Sequence, residues 1–476
     1  MPTQANRWIN RMDWSLILMY IVLVCFGWIN IYSTTSENDT FSNIFDFSKN
    51  YGMQLIWVAT AFILAFFVLI INSRFYSVFS YYIYLAVIVL LILVLFIGIE
   101  VNNSRSWFSI GRIRIQPAEL AKLATSLALA KIMSLYGFKL KTFNGWAKVL
   151  GLILLPVALI LLQKDWGSAS VFFIFILMFY REGMPGWIVA AAFFTIALFI
   201  MSLLIEPISV LAFLLALTLI LFALINRRYL HAFLAGVIVL FTFFILYYGQ
   251  KLTNIIIFDK FTLLLIATII LTLTAVIYAS RTKIRSVFFI LLFLIGSLGM
   301  SLSVDYIYDK ILKSHHRDRI DDMLGIRVDN RGVGYHVNQS KIAIGSGGFT
   351  GKGFLQGTQT RLNFVPEQST DFIFCTIGEE WGFVGSFLII ALYITFLTRV
   401  VMVAERQKHI FARIYGYCVA SIIFFHFFVN ISMTIGLAPV IGIPLPYISY
   451  GGSSLWSFTI LLFILIKLDA VRLGER

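Results

Sequence analysis

The residues best suited to chemistry lie in one polar island. Between 305 and 376 the chain turns from apolar to rich in charge and glycine. Within this stretch runs VDNRGVGYHVNQSKIAIGSGGFTGKGFLQGTQTRLNFVPEQSTDFIF, residues 328–374. Patterned loops of this length usually carry function. The island and the residues just after it hold Asp318, Asp321, Asp322, Asp329, Glu367, Asp371, Glu379 and Glu380. Asp329 differs from the others in setting. It precedes Asn330, Arg331, Gly332, Val333 and Gly334, a turn-forming run that lets backbone approach a ligand closely. A general base needs a carboxylate within hydrogen-bond reach of a substrate hydroxyl. Spacing alone leaves open that Asp329 only caps the turn. Lys341, Lys352 and Arg361 are candidates for holding a pyrophosphate, and the glycines of GSGGFTGKG for forming anion-binding nests. Several familiar chemistries are missing. Lys352 is followed by Gly353, so GxxxxGK[ST] is absent, and so are HExxH, GxSxG and a zinc-ligand cluster. The adjacent His315 and His316 are poorly disposed for joint ligation.

A second set of ionisable residues sits inside apolar sequence. In IQPAELAKLA, Pro117 suits the first turn of a helix, and Glu119 and Lys122, three apart, share a face. Ionisable groups at membrane depth are costly, so the pair is either a structural ion pair or part of a substrate path. Just before it, NNSRSWFSIGRIRIQP supplies Arg105, Trp107, Arg112 and Arg114. A basic, Trp-bearing loop suits an anionic lipid headgroup, or an interfacial belt with solvated charges. Asp165, at the break in LLQKDWGSAS, is expected to cap the helix that follows it.

What must position these residues is a membrane bundle. Hydrophobic residues make up 60% of the 476 and charged residues 13%, whereas soluble domains hold about 45–50% and 25%. Apolar runs long enough to cross a hydrocarbon core of about 30 Å recur along the chain. Fourteen or so spans are expected, near 14–33, 52–72, 78–98, 116–136, 146–162, 167–180, 185–205, 208–225, 229–249, 260–280, 286–304, 377–398, 415–436 and 453–470. The first reads as a retained helix rather than a cleaved signal. Cys25, Cys375 and Cys418 lie in or beside apolar runs and suggest neither a disulfide framework nor a metal site. The net charge of +14 reads as basic cytoplasmic loops rather than a nucleic-acid surface. With the N-terminus inside, the inner segments carry about 19 Lys and Arg and the short outer loops about 7. Both termini then face the cytoplasm and the island faces outward. ATP and nucleotide sugars are absent there, so a substrate must arrive already activated, most simply on a lipid carrier.

The strings SRSWFSIGRIRIQPAELAKL, QKDWGSA, the GVGYH to FVG run through the island, and FVNISMTIGLAPVIGIPLPYISYGGSS occur in an order and spacing that resemble the SEDS family (shape, elongation, division and sporulation). GTQT followed by LNFVPE is similar to its RodA branch rather than its FtsW division branch. The resemblance covers about 10–183 and 285–470. It implies an all-α polytopic fold and a peptidoglycan glycosyltransferase that polymerises lipid II during elongation. It also implies a bacterial inner-membrane location and a class B penicillin-binding protein as partner. The family's essential aspartate maps to Asp329, and its further functional residues map to Arg105, Trp107, Glu119, Lys122, Lys341, Gln359, Glu367 and Asp371. No cofactor is implied, although a divalent cation is a candidate helper. Departures are Lys164 and Trp166 in the family's QPDLGT segment and Asn330 for the proline after the aspartate. A larger one is about a hundred residues, 184–282, that read as four helices inserted between a first core part, 1–183, and a second, 283–476. A lipid II flippase and a non-catalytic scaffold of the cell-wall machinery are the rival readings. No internal repeat of the kind transporters show is visible.

Overall fold

In the computed structural model the described residues are 11–35, 45–101, 104–111, 113–253, 258–311, 314–325, 333–362 and 364–472. They form two compact units, one of residues 1–185 with 319–476 and the other of residues 186–318. Twelve helices among the described residues are long and apolar enough to cross a membrane, as befits a multi-pass membrane protein. The other two expected spans differ in character. One is the 17-residue helix Pro117–Met133, and the other is the interrupted stretch Trp166–Arg181.

The first unit is built from α1 (Trp14–Thr35), α2 (Asn50–Ile70), α3 (Ser73–Val78), α4 (Ser80–Ile97), α5 (Pro117–Met133), α6 (Phe143–Leu162), α7 (Trp166–Ser170) and α8 (Phe175–Arg181). Its later helices are described below by range. At its centre lie α5, Ile410–Thr434 and Gly452–Val471, all mostly buried. Alanine at 118, 121, 124, 128 and 130 lets neighbouring backbones close on α5. Surrounded by protein rather than lipid, α5 can carry Glu119 and Lys122 where a lipid-facing helix could not. Between α4 and α5 stands an element the all-helical expectation did not contain. It is an antiparallel sheet of β1 (Ile99–Val101), β2 (Ser104–Ile110) and β3 (Ile113–Ile115), in the order 1-2-3. The alternation of apolar and polar residues in IEV and IRI favours strands.

Ion pairs gather at one end of this unit. Arg399 pairs with Asp13 at 2.9 Å, Arg406 bridges Asp13 (2.7 Å) and Asp469, and Arg413 meets Glu182 at 2.9 Å. Arg406 thus ties the start of α1 to the end of Gly452–Val471. The opposite helix ends are joined by Gln368 to Thr34 O (3.2 Å), Gly451 N to Gln54 (3.3 Å) and Tyr450 N to Ser369 O (2.9 Å). The candidate site lies at that second end.

The second unit contains α9 (Gly186–Leu204), α10 (Pro207–Asn226), α11 (Tyr229–Thr253), α12 (Lys260–Thr282) and α13 (Arg285–Tyr306). Leu198, Leu211, Leu214, Leu264, Leu271 and Leu294 form its core. Phe233, Phe241 and Phe289 point outward, as lipid-facing side chains do. The four helices expected between 184 and 282 are present among the described residues, and α13 packs with them in the same unit.

Candidate active site

The site is built on Lys122, one turn inside α5. Its ammonium donates to both carboxylate oxygens of Glu119, at 2.8 Å each, and lies 2.9 Å from His426 Nε2. His426 belongs to the helix Ile410–Thr434. Its Nδ1 is 3.1 Å from the carbonyl of Pro444. Nδ1–H therefore donates to that carbonyl and Nε2 accepts from Lys122. Exposures of 4% for Glu119, 1% for Lys122 and 1% for His426 place the triad in the protein interior. Phe458 closes it, with its ring 4.9 Å from the ammonium and edge-on to His426. The i, i+3 pair is as the spacing predicts. His426 was not foreseen, although a histidine amid Phe residues in FFHFF is a signal of the same kind.

Asp165 caps α7 as expected. It accepts from Ser168 N (3.0 Å), the Ser168 hydroxyl (2.8 Å) and Gln116 Nε2 (2.7 Å). It is close enough to Lys122 and to Asp371 to act electrostatically on both. Asp371 sits on the turn that precedes the long helix Ile373–Glu405. Asn430 Nδ2 donates to the Asp371 carbonyl (2.8 Å) and to Ile443 O (2.7 Å), and the Ser449 hydroxyl donates to Thr370 O (2.5 Å). These bonds fix the loop after Ile410–Thr434 onto the turn and place the Asp371 carboxylate beside Gly442. Burial pushes the Asp371 carboxyl up to about 7, with Glu367 adding to the rise and Arg319 opposing it. Glu367 itself is exposed, at φ +52°, and accepts from the Thr370 hydroxyl at 2.9 Å. His336 stacks on Phe372, and burial lowers its pKa against the pull of Glu367.

Beside this carboxylate cluster is a hollow lined by Arg319, Asn338, Lys341, Gly436, Pro439 and Val440, among others. Lys341 comes from the helix Val333–Ser346 and Arg319 from Ser314–Leu324. The Lys341 head rests on Gly436, whose φ of +77° suits glycine, and a Cβ there would displace the ammonium. Among the described residues neither cation has a carboxylate partner, and Arg319 Nε is buried without a hydrogen bond. Arg319, in the charge run SHHRDR, was not singled out from sequence.

The glycine-rich segment behaves differently from expectation. Its N–H groups do not form an anion nest, because they are already bonded to carbonyls. Gly351 N donates to Gly347 O (2.9 Å), Lys352 N to Glu379 O (3.0 Å) and Gly353 N to Glu380 O (3.0 Å). In return Phe383 N donates to Gly348 O at 3.0 Å. The segment lies backbone to backbone against a kink at Gly382 (φ +64°) in Ile373–Glu405, and a Cβ on Gly351 or Gly382 would enter the facing main chain. Lys352 is likewise committed, to Glu379 at 2.7 Å. Glu379 also takes the Gln359 N–H (2.9 Å) and Thr360 N–H (3.0 Å), which fixes the GTQT turn and leaves Gln359 Oε1 buried and unpartnered.

Arg105 and Trp107 lie on β2, opposite Glu100 and Ile99 respectively, with Arg105 exposed. Gln163 O accepts from Arg105 N (3.2 Å) and from the Ser104 hydroxyl (2.9 Å), tying the sheet to the loop that ends in Asp165. The structure thus brings Glu119, Lys122, Asp371 and Glu367 into one electrostatic neighbourhood, with Lys341 in the adjoining hollow. Asp329, Arg112 and Arg331 lie outside the described residues. Among the described residues no three acidic, His or Cys side chains converge as a metal site.

The family described as cell cycle protein, FTSW_RODA_SPOVE, matches residues 13–216 and 212–473. The peptidoglycan glycosyltransferase RodA of Treponema pallidum (strain Nichols) is 30% identical over 470 residues, 98% of this chain and 99% of that protein. The peptidoglycan glycosyltransferase MrdB of Escherichia coli (strain K12) is 47% identical over 145 residues, 30% of this chain and 39% of that protein. A solved structure described as "Structural coordination of polymerization and crosslinking by a peptidoglycan synthase complex" contains a chain that matches with a TM-score of 0.64 and 22% identity. The match covers 98% of this chain and 99% of that one and speaks to the fold alone.

Proposed function

The chain belongs to the FTSW_RODA_SPOVE (SEDS) family, and on that premise we propose that it polymerises lipid II with Asp329 as general base. It is a peptidoglycan glycosyltransferase of the RodA kind. In the proposed reaction Asp329 takes the proton from the 4-hydroxyl of the acceptor's N-acetylglucosamine. The freed oxygen attacks C1 of the donor's muramyl sugar with inversion. The C1–O bond to phosphate breaks, and its electron pair leaves with undecaprenyl pyrophosphate. Nearby cations offset the charge that develops there.

One observation carries the reading. Asp329 lies on the short connection between the helix bearing Arg319 and the helix bearing Lys341, and both residues line one hollow. Glu119, Lys122, Gln359, Glu367 and Asp371 support substrate from the adjoining walls, and Arg105 with Trp107 receives the lipid headgroup.

Fourteen spans place both termini in the cytoplasm and the island outside the inner membrane. A class B penicillin-binding protein supplies the transpeptidase. Residues 184–282 are an insertion relative to shorter relatives. The 145 residues matched in the Escherichia coli protein are 39% of it, so it is about 370 residues long, while the Treponema pallidum protein matches end to end.

The test is glycan formation by the purified chain from labelled lipid II. Asp329→Asn keeps the shape of the side chain and loses the base. Strand formation is expected to fall at least about a hundredfold, while Asp322→Asn loses far less. Polymerisation by Asp329→Asn at the parent rate would move the base elsewhere, with Glu367 and Asp371 next to be tested.

A further inference from the structure

We infer that the two connections 226–229 and 281–286 of the second unit form one surface that holds the headgroup of an anionic phospholipid. The inserted helices thereby have a role of their own, separate from the glycosyltransferase chemistry. The two connections meet. The Ser286 hydroxyl donates to Asn226 Oδ1 at 2.6 Å, and the Arg228 guanidinium donates to the Tyr278 hydroxyl. Arg227, Arg228, Arg281, Lys283 and Arg285 therefore gather at one end of the unit. Among the described residues none of the five has a carboxylate within ion-pair distance. Glu206 and Asp259 begin α10 and α12 at the other end. In the first unit, by contrast, Arg399, Arg406 and Arg413 each meet a carboxylate.

The helix dipole does not account for these charges. A cation at a helix C-terminus is favoured, which covers Arg227 after α10 and Arg281 with Lys283 at the end of α12. Arg228 immediately precedes α11, and Arg285 is the first residue of α13. There the dipole opposes a cation and favours an anion. Arg227 (φ +53°) and Lys283 (φ +55°) also hold the left-handed conformation in which glycine is the usual choice at a helix end. Charge is kept at both places against the preference of the backbone. The rim beside the charges is apolar. Leu224, Ile225, Leu230, Phe233 and Phe289 are exposed within about two turns of them. α9 and α13 run side by side in the same direction, since Phe194 meets Phe293 and Ser202 meets Ser301 at one common offset. That register sets the exposed Trp187 level with Ser286, as in the aromatic belt at a membrane surface. A free anion would use the charges alone, whereas a phospholipid uses charges and rim together. Basic groups at the ends of membrane-spanning helices bind acidic headgroups in this way.

The test is lipid binding by the purified full chain in neutral detergent, read by native mass spectrometry. Phosphatidylglycerol is compared with zwitterionic phosphatidylethanolamine, and soluble glycerol phosphate serves as competitor. The parent should prefer phosphatidylglycerol. Arg281→Gln, Lys283→Gln and Arg285→Gln remove exposed charges, and each should weaken phosphatidylglycerol binding about fivefold. The three together should bring it to the phosphatidylethanolamine level. Lys283→Gly removes the charge and relieves the backbone. It should lose the same affinity while unfolding no earlier than the parent. Lys139→Gln with Lys141→Gln and Lys148→Gln removes equal charge from the first unit and should bind like the parent. Four results overturn the surface. The first is a triple variant at 281, 283 and 285 that binds phosphatidylglycerol like the parent. The second is an equal loss in the first-unit variant, which would make the attraction diffuse. The third is a parent that does not discriminate the two lipids, which leaves the charges to an acidic protein. The fourth is displacement by glycerol phosphate at the concentration of the lipid, which makes the ligand a free phosphate.

Discussion

Replacing Lys122 by methionine removes one charge from a buried triad and leaves two unpaired groups behind. All three N–H groups of the ammonium have partners, the two Glu119 oxygens at 2.8 Å and His426 Nε2 at 2.9 Å. The residues are 1–4% exposed, so water cannot replace the lost donors. Breaking a buried pair by removing one partner costs about 3–5 kcal/mol, because the remaining charge is uncompensated. The double change Glu119→Gln with Lys122→Met removes both charges. It should recover most of that loss and leave about 1–3 kcal/mol for the unsatisfied imidazole nitrogen. The assay is reversible unfolding in mixed detergent micelles, followed by tryptophan fluorescence and compared with a surface change such as Lys139→Met. A loss for Lys122→Met of about 1 kcal/mol or less, the size of an exposed pair, would refute the reasoning. Activity then divides the roles of the pair. A double variant that folds and polymerises lipid II makes it structural, whereas one that folds and is inactive gives it a place on the substrate path.

Other outcomes follow from the same structure. The Asp371 carboxyl is raised from 3.8 to about 7, so between those values the folded state keeps a proton the unfolded chain has released. Stability should therefore fall as pH rises from about 4 to 7. Asp371→Asn should flatten that fall, and denaturation profiles parallel to the parent's at both ends of the window would contradict the assignment. Gly382→Ala should destabilise the chain by at least about 1–3 kcal/mol from the left-handed backbone alone, because its Cβ also meets Gly351. Unfolding unchanged from the parent would show that the kink relaxes freely. Single cysteines at 227 and near 329, in a chain without Cys25, Cys375 and Cys418, should react with an impermeant reagent from opposite sides of the membrane. Labelling from one side would remove the even number of inserted helices.

Much of this protein was legible before any coordinate. Composition and run length determined a multi-pass membrane chain, since a hydrocarbon core selects long apolar helices whatever the tertiary fold. Spacing determined that Glu119 and Lys122 share a helix face, and local capping chemistry determined the role of Asp165. Ordered motifs pointed to the family. Properties of one helix or one turn are encoded within a few residues, so a linear reading reaches them. The tertiary structure decided what arrives from elsewhere. His426 lies 304 positions from Lys122, and no local rule couples them. Arg319 became notable only when two helices set it beside Lys341. The glycines of GSGGFTGKG looked like anion binders, because free N–H groups and close backbone approach share one sequence signature. Only the fold showed that the main chain around Gly382 had already taken those N–H groups.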